Sequence, residues 1–320
     1  MTKFLKTRES ICGWLELHNV KNYHLIAHPE YGFVVDVHGS VTLNNRDLMS
    51  IPIKFNIVTG DLIVSQNYLT NLDWCPLEVN NFIADNNNLT HVVGIPQIIH
   101  ENCEIDYNEI QSLKGMPAKV GGDFSFAFNE LTTLVGSAKY VGGRYLCANN
   151  KISNLIGSPL EILGGLEAYC CGLTSLQGLT PTLVGDINLN SNELTNLVGL
   201  ASIVKGDLSV GNNKLTSLQG APNTVEGNFD CSRNQLTSLQ WGPVIVRGYY
   251  NCSQNNINTI DFLPETVVGK FYYMENQLSP EIEQLKSIKE LQDIQTANNE
   301  KKLLEHEIKR QTIYPESFKV

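Results

Sequence analysis

The chain has 320 residues, of which 42% are hydrophobic, and a formal net charge of −10. That charge argues against general nucleic-acid binding, which needs a phosphate-neutralising basic face, and no apolar run approaches the roughly 18 residues that a spanning helix requires. Length alone suggests two ordinary domains, but an internal repeat replaces that count with growth in one dimension.

Residues 1–40 stand outside the repeat. MTKFLKTRES carries lysines without an apolar stretch behind them, so no secretory signal is read there. Phe4, Ile11, Trp14, Leu15 and His18 fall at helical spacing and predict a short amphipathic helix ending near Leu17. YHLIAHPEYGFVVDVHGSVTL then alternates as strands do, with a turn at Pro29 and Gly32. Its size and apolar content suit a cap over the first coil of a stacked array.

Residues 41–279 repeat. Asn67, Asn87, Asn108, Asn129, Asn150, Cys171, Asn192, Asn213, Asn234, Asn255 and Asn276 mark one position, the first step being 20 residues and the next nine 21. So constant a period requires each unit to stack in register on the last, which makes a solenoid. The unit before Asn67 is degenerate: Leu43, Leu48 and Ile51 keep the spacing, with Arg46 in place of the asparagine, as befits an end. Within one copy Val225, Gly227, Phe229 and Cys231 alternate with Glu226, Asn228, Asp230 and Ser232, which predicts a strand with the first set inward. Leu236 and Leu239 follow around the corner, and QGAPNTV, too short for a helix, should run extended or as a tight turn on the convex side. The asparagine column has a structural role: an amide at a bend satisfies backbone groups that the bend leaves unpaired, so these residues form a ladder between coils, with Cys171 a small buried replacement.

The unit F-x-C-S-x-N-x-L-T-S-L-x-G-x-P-x-x-V-x-G, carried by Phe229, Cys231, Asn234 and Leu236, resembles a leucine-rich repeat. Its wording is similar to a short-repeat variety of bacteria and large bacteriophages. The resemblance implies a mostly β solenoid of about 11–12 coils with a parallel β-sheet. A small α+β cap at residues 1–40 and a helical cap or arm at residues 280–320 would flank it. It also implies a phage-encoded protein. N-x-L-T-S-L is similar to repeats in bacterial effectors carrying a ubiquitin-ligase domain. The tail after the last repeat is too short for such a domain, and that activity is not carried over.

In the tail, Ser279, Pro280 and Glu281 compose a helix start. Ile282, Leu285, Ile288, Leu291 and Ile294 recur every three residues, and TANNEKK is expected to break the helix before a second one bearing Leu303, Leu304 and Ile308. The tail either caps the last coil or reaches out for oligomerisation or partner docking.

The chemistry-bearing residues form no catalytic pattern. Seven histidines are scattered without metal-ligand spacing. Cys147, Cys231 and Cys252 share a position that holds Val64, Ala84, Ile105, Phe126 and Leu189 in other copies, so cysteine serves as a small core hydrophobe in a reducing, cytosolic compartment. Cys170 is an outward thiol without a placed base. Gly122, Gly143, Gly164, Gly185, Gly206, Gly227, Gly248 and Gly269 recur once per coil on the inward phase, as close packing between coil walls explains. No enzyme, cofactor or metal site is read.

Function is expected on the outward strand face, where copies differ. Large residues gather at Ile63, Ile83, Tyr107, Phe128, Leu146 and Tyr169. A polar stretch of Asn188, Asn190, Ser209, Asn212, Asp230 and Ser232 follows, and a second patch of Arg233, Tyr249, Tyr272 and Met274 lies beside Lys270. Exposed aromatic clusters usually mark interfaces. The leading expectation is a non-enzymatic module that binds and occludes or scaffolds a host or phage protein in the host cytosol. The alternative is a virion or assembly component held through caps and tail, and an enzyme or carbohydrate binder comes last.

Overall fold

The computed structural model describes residues 4–180, 182–285 and 287–313. Helix α1 (Arg8–Leu17) begins where Thr7 Oγ1 accepts the Ser10 N–H at 3.2 Å. Its four-residue spacing turns Ile11 and Leu15 fully into the core. Strands β1 (Tyr23–His28) and β2 (Gly32–Val37) pair antiparallel. Gly32 closes their turn at φ 74°, where a Cβ would meet Lys6 O at 2.4 Å. β2 then pairs in parallel with Phe55–Val58, so the cap is welded to the array by hydrogen bonds.

From Val41 to Tyr272 each coil adds one two-residue strand to a twelve-stranded parallel sheet. Neighbours pair without slip, as in Phe124↔Tyr145 and Ser125↔Leu146. The opposite side is both of the things QGAPNTV allowed: a tight turn, then a short extended run. Those runs form further parallel sheets of five and four strands. The sheets end at Glu161–Ile162 and resume at Ile203–Val204. In the intervening coil position 181 is proline, which has no N–H to donate. Leu160 O instead receives the hydroxyls of Thr180 (2.6 Å) and Thr182 (2.9 Å).

Between the walls runs one continuous core. A single coil contributes Val120, Phe124, Phe126, Leu131 and Leu134, all fully buried. Each such side chain stabilises by about 1.5–3 kcal/mol. Phe126 meets Tyr145 of the next coil at 5.1 Å, which ties one layer to another. Cys147, Cys231 and Cys252 lie in this core, and all eight cysteines are free thiols.

The tail differs from its expected form. Helix α2 (Pro280–Glu283) is one turn long, and Ser279 makes no side-chain cap bond. Helix α3 (Ile288–Ile313) runs unbroken through TANNEKK for 26 residues, about 39 Å at the α-helical rise. α2 ends at Glu283 and α3 begins at Ile288, so the helices are divided before TANNEKK and not at it. At this point the last coil holds the tail: Tyr273 Oη shares its proton between Ile282 O (3.2 Å) and Leu285 O (2.5 Å). The first half of α3 then caps the core with fully buried Leu291, while Gln292 Nε2 donates to Pro264 O at 2.6 Å. Its second half does not cap, since Leu303 and Leu304 are 70% and 59% exposed. The side chain of Ile308 lies outside the described residues.

Candidate interaction face

The ladder sets the geometry of the face. Asn129 Oδ1 accepts the Ile110 N–H of the preceding coil at 2.9 Å, and its Nδ2 donates to Ile105 O, Phe126 O and Ala127 O at 3.0–3.3 Å. The same pattern recurs at the other asparagines, down to Asn276, which receives Ile257 N–H at 3.0 Å. The chain bends just before this position in every coil, including those that carry Arg46 or Cys171 in place of the asparagine, so the bend belongs to the coil and the amide fits into it. All eleven residues at that preceding position, from Gln66 to Glu275, have φ between 51° and 57°.

This left-handed conformation costs a non-glycine residue roughly 1–2 kcal/mol, and a bulky side chain there is an outlier. Most coils place Gln, Asn, Ser or Glu in it. Tyr107 and Phe128, on consecutive coils, do not: they are 51% and 38% exposed and stack at 4.3 Å with their planes 9° apart. Nothing in the coil requires them. The sequence pattern shows both as outward but carries no sign of their strained backbone.

Leu146 and Tyr169 are half-buried on the same face. Leu146 sits in the strand row Glu104, Ser125, Leu146, Glu167. Tyr169 is two coils beyond Phe128, about 10 Å along the sheet. Burial raises the Tyr169 phenol above its ordinary pKa, and Glu167, Cys170, Tyr107 and Asp106 add to the rise. These residues form one patch.

Acids crowd the same coils, a feature not singled out by the repeat pattern. Asp85 Oδ1 accepts the Asp106 N–H at 2.8 Å, and Asp106 accepts the Ser125 hydroxyl at 2.6 Å and the Ala127 N–H. Burial, with repulsion from Asp106 and Glu104, lifts Asp85 to about 7. Burial likewise raises Glu104 and Asp106.

The second patch is separate. Tyr249 and Tyr272 meet edge to face at 6.0 Å, and with Met274, Asn190, Asn212 and Arg233 they line a groove of ≈730 Å³. Arg233 Nε donates to Gln254 Oε1 at 2.6 Å, and Gln254 Nε2 to Glu275 at 2.8 Å, so Arg233 lies in a polar chain across the groove. Of the polar stretch, Asn190, Asn212, Asp230 and Ser232 line the same groove. Among the described residues no group of three or more His, Cys, Asp or Glu could hold a metal ion.

A second ladder was hidden in the outward positions. Six residues before the asparagines, Asn81, Asn102, Asp123, Asp186, Asp207 and Asn228 each accept the N–H of the equivalent residue one coil on, at 2.7–2.9 Å. This corrects the account of the glycines. They sit at a half-open corner, not in the core, and a Cβ on Gly122 would strike Asn102 Oδ1 at 2.3 Å.

The coil, its asparagine ladder and the parallel sheet define a leucine-rich-repeat solenoid. No family model and no curated protein matches the chain. Among solved structures it is similar to YopM from Yersinia enterocolitica WA-314, at 20% identity and a TM-score of 0.41 over 75% of this chain. The match spans 65% of that structure.

Proposed function

We propose that the chain is a non-enzymatic protein-interaction module whose contact surface is the strand face around Tyr107, Phe128, Leu146 and Tyr169. The observation that carries this reading is the stacked, exposed Tyr107–Phe128 pair held in a left-handed backbone. Every coil takes this backbone conformation, so what sets these two apart is a bulky exposed ring where most coils place a polar side chain, and rigid exposed aromatics are the usual anchors of an interface. A stacked solenoid pre-organises them and lowers the entropic cost of association. Occlusion or scaffolding of a host or phage protein, within a reducing cytosol, is the setting that the phage resemblance supplies.

A second reading has its own support. The outer half of α3 leaves Leu303 and Leu304 exposed, as suits an arm for self-contact in an assembly. The two are separated by capture from host lysate with wild type and a Tyr107→Ala/Phe128→Ala variant of matched thermal stability. Loss of specific partners in the variant is expected; the same partners from both would remove this face from consideration.

A further inference from the structure

The proposed interface has an unbalanced charge, and this bears on what it binds. From the coil of Asn87 to that of Cys171 the strand face carries Asp85, Glu104, Asp106, Asp123 and Glu167 against Arg144, while Lys151, just past the ladder, is paired with Glu130. Arg144 is already committed, donating to Asp123 Oδ2 through Nε at 3.1 Å and Nη2 at 2.9 Å. Among the described residues the other four acids form no ion pair; Asp85 and Asp106 accept from the neutral groups named above and Glu167 from Asn188 Nδ2 at 3.1 Å.

We propose that this face takes a basic partner: an extended lysine- or arginine-bearing segment of another protein, with cationic side chains lying over the Tyr107–Phe128 stack and reaching the flanking carboxylates. The inference rests on reading the stack as an interface. Four features of the surface fit such a segment. Glu104 and Glu167 lie three strand steps apart in one row, about 14 Å, with Leu146 between them to receive an apolar side chain. Two stacked aromatic faces attract a guanidinium or ammonium through their π-electrons, the more so where water is excluded. The partly buried acids repel one another in the free protein, a standing cost that an arriving cation relieves. Their spacing along the row, with no three-acid metal cluster among the described residues, suits long flexible side chains rather than one metal ion. Nucleic acid is disfavoured by the same carboxylates. The groove near Tyr272 differs, since Arg233 lines it alongside Asp230 and Glu275.

The test is selection of a random twelve-residue peptide display library on the immobilised full-length chain. The selected peptides are then titrated by fluorescence anisotropy against wild type, Tyr107→Ala/Phe128→Ala and Glu104→Gln/Glu167→Gln. Neither glutamate holds a backbone group, so the second pair should fold with wild-type stability. The expected result is a pool enriched in Lys and Arg whose binding is abolished by the aromatic pair and weakened roughly tenfold by the glutamine pair. A pool without basic enrichment that still depends on Tyr107 and Phe128 overturns the basic partner and leaves the interface standing. Binding indifferent to both variants overturns the two together, and so does failure to select any peptide.

Discussion

Cys171 is the one irregular rung between Asn67 and Asn276, and replacing it with asparagine should stabilise the protein. In every other coil of that span the rung's Oδ1 accepts the N–H two residues past the preceding rung; Leu131 N–H, for example, reaches Asn150 at 3.0 Å. The Cys171 thiol makes only weak contacts, to Cys147 O at 3.3 Å and Tyr169 O at 3.5 Å. The Ile152 N–H, which an oxygen at this rung would receive, has no acceptor among the described residues. Leaving a buried donor unpaired costs about 1–3 kcal/mol. The site is 4% exposed where the asparagines of the inner coils are 5–8%, so an amide there would be kept from water as theirs are. Cys171→Asn should therefore raise stability by about 1–3 kcal/mol. Asn150→Cys should lower it by a similar or larger amount, because it creates a second such defect beside the first. Urea unfolding followed by circular dichroism measures both. A Cys171→Asn variant no more stable than wild type, with an Asn150→Cys variant that loses nothing, would show that the ladder does not hold the coils as argued.

Two further predictions follow from the acids and the tail. Asp85 is held up to about 7 chiefly by burial, so the fold favours its neutral form while the unfolded chain ionises near 4. The stability this provides is complete below the unfolded value and is lost as pH rises through 7. At pH 8 the full penalty corresponds to about 4 kcal/mol, which solvent at the half-buried carboxyl reduces to roughly 1–2 kcal/mol. Asp85→Asn keeps an acceptor for the Asp106 N–H and should recover that amount at pH 8. It should also flatten the dependence between pH 5 and 8 in thermal melts, and parallel wild-type and variant curves would refute the assignment. In the tail, deleting residues 286–320 uncovers the core beneath Leu291 and should destabilise the last coils by about 2–3 kcal/mol. Deleting residues 299–320 should leave the melt unchanged. Light scattering on the shorter deletion tests the assembly reading, which fails if the molecular mass per particle falls only by the residues removed.

What could be read in the sequence was whatever the period enforces. A 21-residue step with an asparagine at each turn admits few structures, because a buried amide that bonds the coil before it must recur in register. Hence the ladder, the inward set of Phe229 and Cys231, and the outward placing of Tyr107 and Phe128 were legible residue by residue. Properties created by neighbouring coils were not. The left-handed backbone under Tyr107 is the corner that every coil takes, with or without an asparagine after it, and the sequence pattern records no dihedral angle. Asp85 and Asp106 look like ordinary surface acids until stacking brings them together and takes water away. The tail shows the same limit from the other side: TANNEKK is polar enough to read as a break, yet α3 continues through it. α2 instead ends at Glu283, next to the carbonyls of Ile282 and Leu285 that Tyr273 contacts, a contact between residues that no local pattern relates. Periodicity determined the scaffold, since each coil repeats the same bonding problem; tertiary packing decided the charge, the strain and the ends, which arise only where unlike residues meet.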